Sequence, residues 1–153
     1  MFTKILYPTD FSECANAAIP YIKLMKKTGA RELIILHVVD IRHSTIIDTT
    51  AFGETFVYPY DISDILKKEA EKQMNNLKKQ LSKVYKVTPL IIEGIPFKEI
   101  ITIAEQKKVS CIIMGSHGKS NIEEMLLGSV TEKVVRKSTM PCLVVKSHQR
   151  FSS

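Results

Sequence analysis

Five short runs of Ile, Leu, Val and Cys, spaced along the whole chain and separated by stretches of helical periodicity, constrain this sequence more than any other feature. They are Thr3 to Tyr7, Leu33 to Val39, Val87 to Ile92, Ser110 to Met114 and Cys142 to Val145. Continuous apolar runs this short suit strands covered on both faces, as in a parallel sheet. Between them, Ala15, Ala18, Ile22 and Met25 recur at helical spacing after Ser12, a good N-cap, and Gly29 supplies a stop. Pro20 falls inside that pattern and predicts a kink or a lost helical hydrogen bond. Leu66, Ala70, Met74, Leu77, Leu81 and Val84 form the longest apolar stripe. Pro96 suits the first turn of a helix carrying Ile100, Ile101 and Ala104, and a last helix starts near Ser129 and buries Val130 and Val134. Pro89 places the third strand near a sheet edge.

Strands alternating with helices require crossover connections, so the expected class is α/β with a mostly parallel sheet and helices on both faces. With 153 residues the chain suits a single domain. That domain is expected over residues 1–147, with 148–153 as a C-terminal tail. Residues 40–63 lack a clear period and read as a long loop, whose Thr, Ile and aromatic content suits a lid or a partner surface.

Composition narrows the function classes. No run approaches the ~20 apolar residues that cross a bilayer, and the N-terminus lacks the apolar stretch of a secretory signal. The sequence therefore predicts a cytoplasmic protein with no membrane partner. Three cysteines, Cys14, Cys111 and Cys142, have no C-x-x-C spacing, which argues against a disulfide framework or zinc site. The net charge of +6 draws +4 from residues 64–86, where seven lysines face three acids, and aromatics do not interleave with them as a stacking platform would require, Tyr85 being the one ring in the segment. Nucleic acid is accordingly not expected as a partner.

Ligands of open α/β sheets bind outside the carboxyl ends of the strands, where the strand order reverses. For the order 3-2-1-4-5, that crevice opens between the first and fourth strands and brings Asp10 opposite Gly115. Three of the six glycines, Gly115, Gly118 and Gly128, fall within 14 residues there. Glycine allows close backbone approach, and a helix N-terminus offers unpaired N–H groups to an anion. Two readings stand: the glycines cradle a phosphate, or they end a strand and cap a helix. The stretch is not a Walker A loop, since Ile113 occupies the position of the first glycine, and no glycine follows the first strand as a dinucleotide fingerprint requires.

Gly115, Gly118, Gly128 and Ser129 match G-x2-G-x9-G-[ST], and the chain here resembles the universal stress protein family, in its ATP-binding subgroup. Ile5 to Ser12, Leu36 to Asp40 and Pro141 to Val145 resemble that family's first, second and last strands. The resemblance implies a five-stranded parallel sheet of the adenine nucleotide alpha hydrolase-like kind, binding ATP with Mg or Mn on its phosphates. It implies that Asp10 contacts the nucleoside, with Pro8 and Thr9 on the same wall. Val38, Met114 and Gly115 would hold adenine and ribose, and Gly118, Gly128, Ser129, Val130 and Thr131 the phosphates. His117 and Lys119 are either ligand contacts or solvated loop residues. The resemblance further implies a homodimer through the last strand, Cys142 to Lys146, whose edge would otherwise be open to pairing.

Other candidates have plain readings. Asp10 can cap the helix near Ser12, and His37 reads as a hydrogen-bonded core histidine. His43 and His148 stand in no metal spacing. Asp10, Asp40 and Glu93 end three strands but do not make a convincing metal site. Few groups suited to phosphoryl transfer accompany the motif: His117, Lys119 and Asp10, with no arginine nearby. The leading expectation is therefore a nucleotide-dependent switch or stress-response module acting on an unknown client. A slow ATPase or phosphotransferase needing a partner is the alternative. A phosphoacceptor domain ranks last because Glu93 and Gly94 stand where its aspartate belongs.

Overall fold

The computed structural model describes residues 2–41, 47–49, 55–57, 62–118 and 127–146. In chain order these form β1 (Lys4–Pro8), α1 (Glu13–Asn16), α2 (Ile19–Met25), a 3₁₀ turn (Lys26–Thr28), β2 (Glu32–Asp40), β3 (Ile47–Thr49), β4 (Thr55–Val57), α3 (Ile62–Leu81), β5 (Lys86–Gly94), α4 (Pro96–Gln106), β6 (Cys111–Gly115), α5 (Ser129–Lys137) and β7 (Cys142–Val145). The main sheet has the order β5-β2-β1-β6-β7, with every pairing parallel. This is the expected 3-2-1-4-5 arrangement once the β3–β4 pair is set aside.

Two cores explain why the strands are apolar without alternation. Ile5, Tyr7, Leu33, Ile35, Cys111 and Ile113 pack on one face against Ile22 of α2 and Met74, Leu77 and Leu81 of α3. The intervening residues Leu6, Ile34, Leu36, Ile112 and Met114 pack on the other face against Ile100 and Ala104 of α4 and Val134 of α5. Successive side chains point to opposite faces, so a strand covered on both must be apolar at every position. Pro89 lies in β5, an edge strand, where its missing N–H costs no ladder bond.

Three expectations are corrected. The helix after Ser12 does not kink at Pro20 but stops at Asn16 and restarts at Ile19, leaving Pro20 in the first turn of α2, where its missing donor is tolerated. Residues 40–63 are not one irregular loop: Asp40 ends β2, Ile47–Thr49 and Thr55–Val57 pair antiparallel, and α3 begins at Ile62. In α5 Thr131, not Val130, takes a buried position beside Val134. The remaining residues of that loop, with Lys119, His43, His148 and the tail 148–153, lie outside the described residues. Among the described residues no helix is long and apolar enough to cross a membrane.

Candidate functional site

The carboxyl ends of β1, β2 and β6 open into a cleft of about 540 Å³, within the ~300–1,000 Å³ common for small-molecule sites. All twelve residues expected to contact a ligand line it: Pro8, Thr9, Asp10, Val38, Met114, Gly115, His117, Gly118, Gly128, Ser129, Val130 and Thr131. Residues 120 positions apart meet because β1 and β6 are neighbours at the point where the strand order reverses.

The three glycines serve different contacts. A Cβ on Gly115 would lie 2.5 Å from the carbonyl oxygen of Cys14, so this glycine lets β6 end tight against α1. A Cβ on Gly118 would lie 2.5 Å from Oδ2 of Asp10. Asp10 thus stands opposite Gly118 and not opposite Gly115 as the strand order alone suggested, because the chain continues three residues past the end of β6 before it comes level with the Asp10 carboxylate. Gly128 donates its N–H to the Ser116 carbonyl at 2.8 Å, which seats the start of α5 beside the end of β6. The N-cap Gly128 has no side chain to cap α5, so among the described residues the first N–H groups of the helix, beside the cleft, have no side-chain acceptor.

The opposite wall is braced from below. Oδ1 of Asp10 accepts the Ser12 N–H at 3.0 Å, and Thr9 Oγ1 accepts the Phe11 N–H at 2.9 Å. Asp10 therefore both holds the turn into α1 and faces Gly118. Phe11 adopts φ 63°, a left-handed conformation strained for a bulky side chain, and its ring lies 4.6 Å from that of His37. His37 Nδ1–H donates to the Thr9 carbonyl at 2.8 Å, which fixes the imidazole orientation. The histidine is hydrogen-bonded as expected, yet it is only half-buried and also lines the cleft. Beneath, the Tyr7 hydroxyl donates to the Ala15 carbonyl at 3.0 Å, and burial pushes its pKa up to about 12, with Asp10 adding repulsion and a Thr9 hydrogen bond opposing.

Thr131 behaves differently from its neighbours. Its hydroxyl donates to the Gly115 carbonyl at 3.0 Å and is buried, so it pins α5 to β6 and is already engaged. Ser129, two residues earlier at the start of α5, is exposed and lines the cleft. Asp40 reaches the cleft, whereas Glu93 forms an ion pair with Lys67 and does not line it. Among the described residues no group of three metal-ligating side chains gathers.

One wall escaped the sequence reading. Leu66, Glu69, Ala70 and Gln73 of α3 line the cleft together with Pro96 and Ile100 of α4. Leu66 belongs to the α3 stripe but is 45% exposed, so the stripe runs a turn beyond the core and onto the cleft. That overshoot was the available signal, and only the docking of α3 on β2 and β5 shows where it points.

A family model described as the universal stress protein family matches residues 1–146. A curated relative, universal stress protein MJ0577 of Methanocaldococcus jannaschii, is 45% identical over 155 residues, covering 95% of this chain and 96% of the relative. The solved structure of MJ0577 aligns with a TM-score of 0.84 at 47% identity, over 97% of this chain and 99% of that one. Two more distant structures share the fold. An Arabidopsis thaliana universal stress protein family protein with AMP bound has a TM-score of 0.65 at 14% identity, over 96% and 93% of the two chains. A universal stress protein in complex with cAMP has a TM-score of 0.58 at 18% identity, over 95% and 97%. The matched segment contains the whole sheet and both walls of the cleft, and the chain belongs to the universal stress protein family.

Proposed function

We propose that the cleft binds ATP and that the protein is a nucleotide-dependent switch. The observation that carries this reading is the contact between Gly118 and Asp10: a Cβ there would meet the carboxylate at 2.5 Å, so the loop after β6 is free of side-chain bulk where it crosses the cleft. The uncapped start of α5 lies alongside and supplies N–H groups for phosphate oxygens. Adenine and ribose would occupy the apolar side, between Val38, Met114 and the α3 wall, with Asp10 toward the nucleoside. The AMP and cAMP complexes of the two distant family structures favour an adenine nucleotide over other anions.

Charge gives the metal its place in this reading. The described lining includes Asp10, Asp40 and Glu69 and no lysine or arginine, so a triphosphate would enter more easily with its charge offset by Mg or Mn. The same absence bears on catalysis. Phosphoryl transfer needs a positioned nucleophile and strong charge stabilisation on the transferred group, and the described lining offers His117 and Asp10. Binding without fast turnover follows, with a slow ATPase or partner-dependent phosphotransferase as the second reading.

The homodimer is part of the same proposal. β7 is an edge strand, and Leu143 on it is 37% exposed. Pairing of Cys142 to Lys146 with a second copy would cover both the open ladder and this side chain.

Denaturing the purified protein and identifying any released nucleotide, followed by calorimetric titration of the emptied protein with ATP and Mg, tests the binding. Protein that is empty and does not take up ATP overturns the reading. Multiple-turnover phosphate release that disappears in both Gly118→Val and Asp10→Ala would establish the ATPase. A monomer mass by light scattering at micromolar concentration would overturn the dimer.

A further inference from the structure

The amino ends of the strands, at the opposite pole from the cleft, carry a basic face assembled from four separate parts of the chain. The Arg31 N–H donates to the Thr3 carbonyl at 2.9 Å, the Lys86 N–H to the Arg31 carbonyl at 3.0 Å, and the Ser110 N–H to the Lys4 carbonyl at 2.8 Å. Lys4, Glu32 and Lys86 are register partners, so the strands begin flush. Onto the same level come Lys26 and Lys27 from the turn after α2, and Lys107 and Lys108 from the end of α4. Lys26 Nζ stands 5.4 Å from the centre of the Tyr85 ring, next to Lys86, and Lys4 Nζ donates to the Lys107 carbonyl at 3.2 Å. Lys26, Lys27, Arg31, Lys86, Lys107 and Lys108 are all exposed. The acids among them are Glu32, which pairs with Lys4 at 3.7 Å, and the exposed Glu105.

Helix electrostatics account for part of this face, since cations favour helix C-termini. They do not account for Arg31 and Lys86, which lead into strands. Nor do they account for Lys108, whose φ of 50° lies in the left-handed region after α4, the position where glycine is the usual residue. A lysine held there keeps a charge on this face at a conformational cost.

We propose that this face docks on an anionic lipid surface. β5, β2, β1 and β6 are adjacent, so the face spans roughly 15 Å at the usual inter-strand spacing. Charges this close act together, because the distance is comparable to the ~8 Å Debye length of physiological salt. A flush array of exposed lysines suits a laterally fluid layer of negative headgroups. Protein interfaces are instead depleted in lysine and built around exposed aromatics, and the aromatic ring here, Tyr85, is buried with its hydroxyl donating to the Ile22 carbonyl at 2.7 Å. Nucleic acid is favoured by stacking rings and by helix N-termini on phosphates, whereas the helices reaching this pole present their carbonyl ends. Docked in this way, the domain holds its cleft away from the bilayer and open to solvent.

Sedimentation of the full chain with vesicles tests the assignment. Phosphatidylcholine vesicles containing phosphatidylserine should carry the protein down at low salt, phosphatidylcholine alone should not, and added salt should release it. Each Lys→Gln change among the five exposed lysines, and Arg31→Gln, should weaken binding about fivefold, the equivalent of ~1 kcal/mol per basic residue near such a surface. Lys108→Gly should weaken it similarly while leaving the thermal midpoint equal or higher, which separates lost charge from lost folding. No sedimentation with phosphatidylserine vesicles at low salt overturns the proposal, as does undiminished binding by the variants. Binding to duplex DNA that phosphatidylserine vesicles cannot compete away would assign the face to nucleic acid instead.

Discussion

The two poles of the sheet meet anions by opposite means. At the carboxyl pole helices α1 and α5 begin, the described lining carries Asp10, Asp40 and Glu69, and backbone N–H groups with glycines at close approach make the room. At the amino pole α3 and α4 end, and exposed lysines supply the positive charge. Strands that all run one way force helices to run the other, so the positive ends of the helix dipoles gather at one pole and the negative ends at the other. The first pole can therefore select a shaped anion with little side-chain charge. The second can only attract anions through side chains, with strong salt dependence and little shape. Under the readings proposed above, ATP binding should tolerate salt that abolishes vesicle binding.

The sharpest way to separate the poles is Gly118→Val. Its Cβ would meet the Asp10 carboxylate at 2.5 Å, so valine displaces that group, and ATP affinity should fall at least about a hundredfold, roughly 3 kcal/mol, by calorimetry. Vesicle binding should not change; if it does, the poles are coupled and the comparison fails. Next in size is an alkaline effect at the cleft floor. Because the folded pKa of Tyr7 is raised to about 12 from 10.0, its contribution is intact below pH 10 and is lost as pH climbs toward 12, roughly 3 kcal/mol in all. Urea unfolding of the wild type against Tyr7→Phe across that window should show the extra loss in the wild type alone, since lysine titration is common to both.

Smaller effects sharpen the roles of single residues. Thr131→Val should cost about 1–2 kcal/mol in chemical denaturation by leaving the buried Gly115 carbonyl without its donor, and should change ATP affinity less than Gly118→Val does. A loss of ATP binding as large as that of Gly118→Val would show that the Thr131 hydroxyl also serves the ligand. Lys108→Gly should raise stability by about 1 kcal/mol through relief of the left-handed backbone. Destabilisation there would mean that the lysine makes a structural contact.

Much of the fold was legible because its signals are local. Each covered strand announces itself by a short run rich in Ile, Leu and Val, and Pro89 in β5 marks an edge by lacking a donor. The three glycines that line the cleft were legible for a similar reason, since three of six crowded into 14 residues are hard to place in regular structure. What stayed hidden depends on pairs of distant residues. Periodicity could not show that the first helix breaks after Asn16, because Ala15, Ala18 and Ile22 keep helical spacing across the break. Nor could it show that Leu66 and Gln73 turn a core helix into a wall of the cleft.

The sequence by itself determined the parallel α/β class and the strand and helix segments, because apolar runs and helical stripes report backbone preference and burial within each segment, while its resemblance to the universal stress protein family singled out the twelve residues that line one cleft. Tertiary structure alone decided that Asp10 faces Gly118, that Thr131 is spent on the Gly115 carbonyl, and that charge forms a pole. In the linear chain the charge is densest over residues 64–86, yet Lys86 from the end of that segment meets Arg31 and Lys108 at one end of the sheet. Charge acts through space, and spatial neighbours from different strands leave no pattern along the chain.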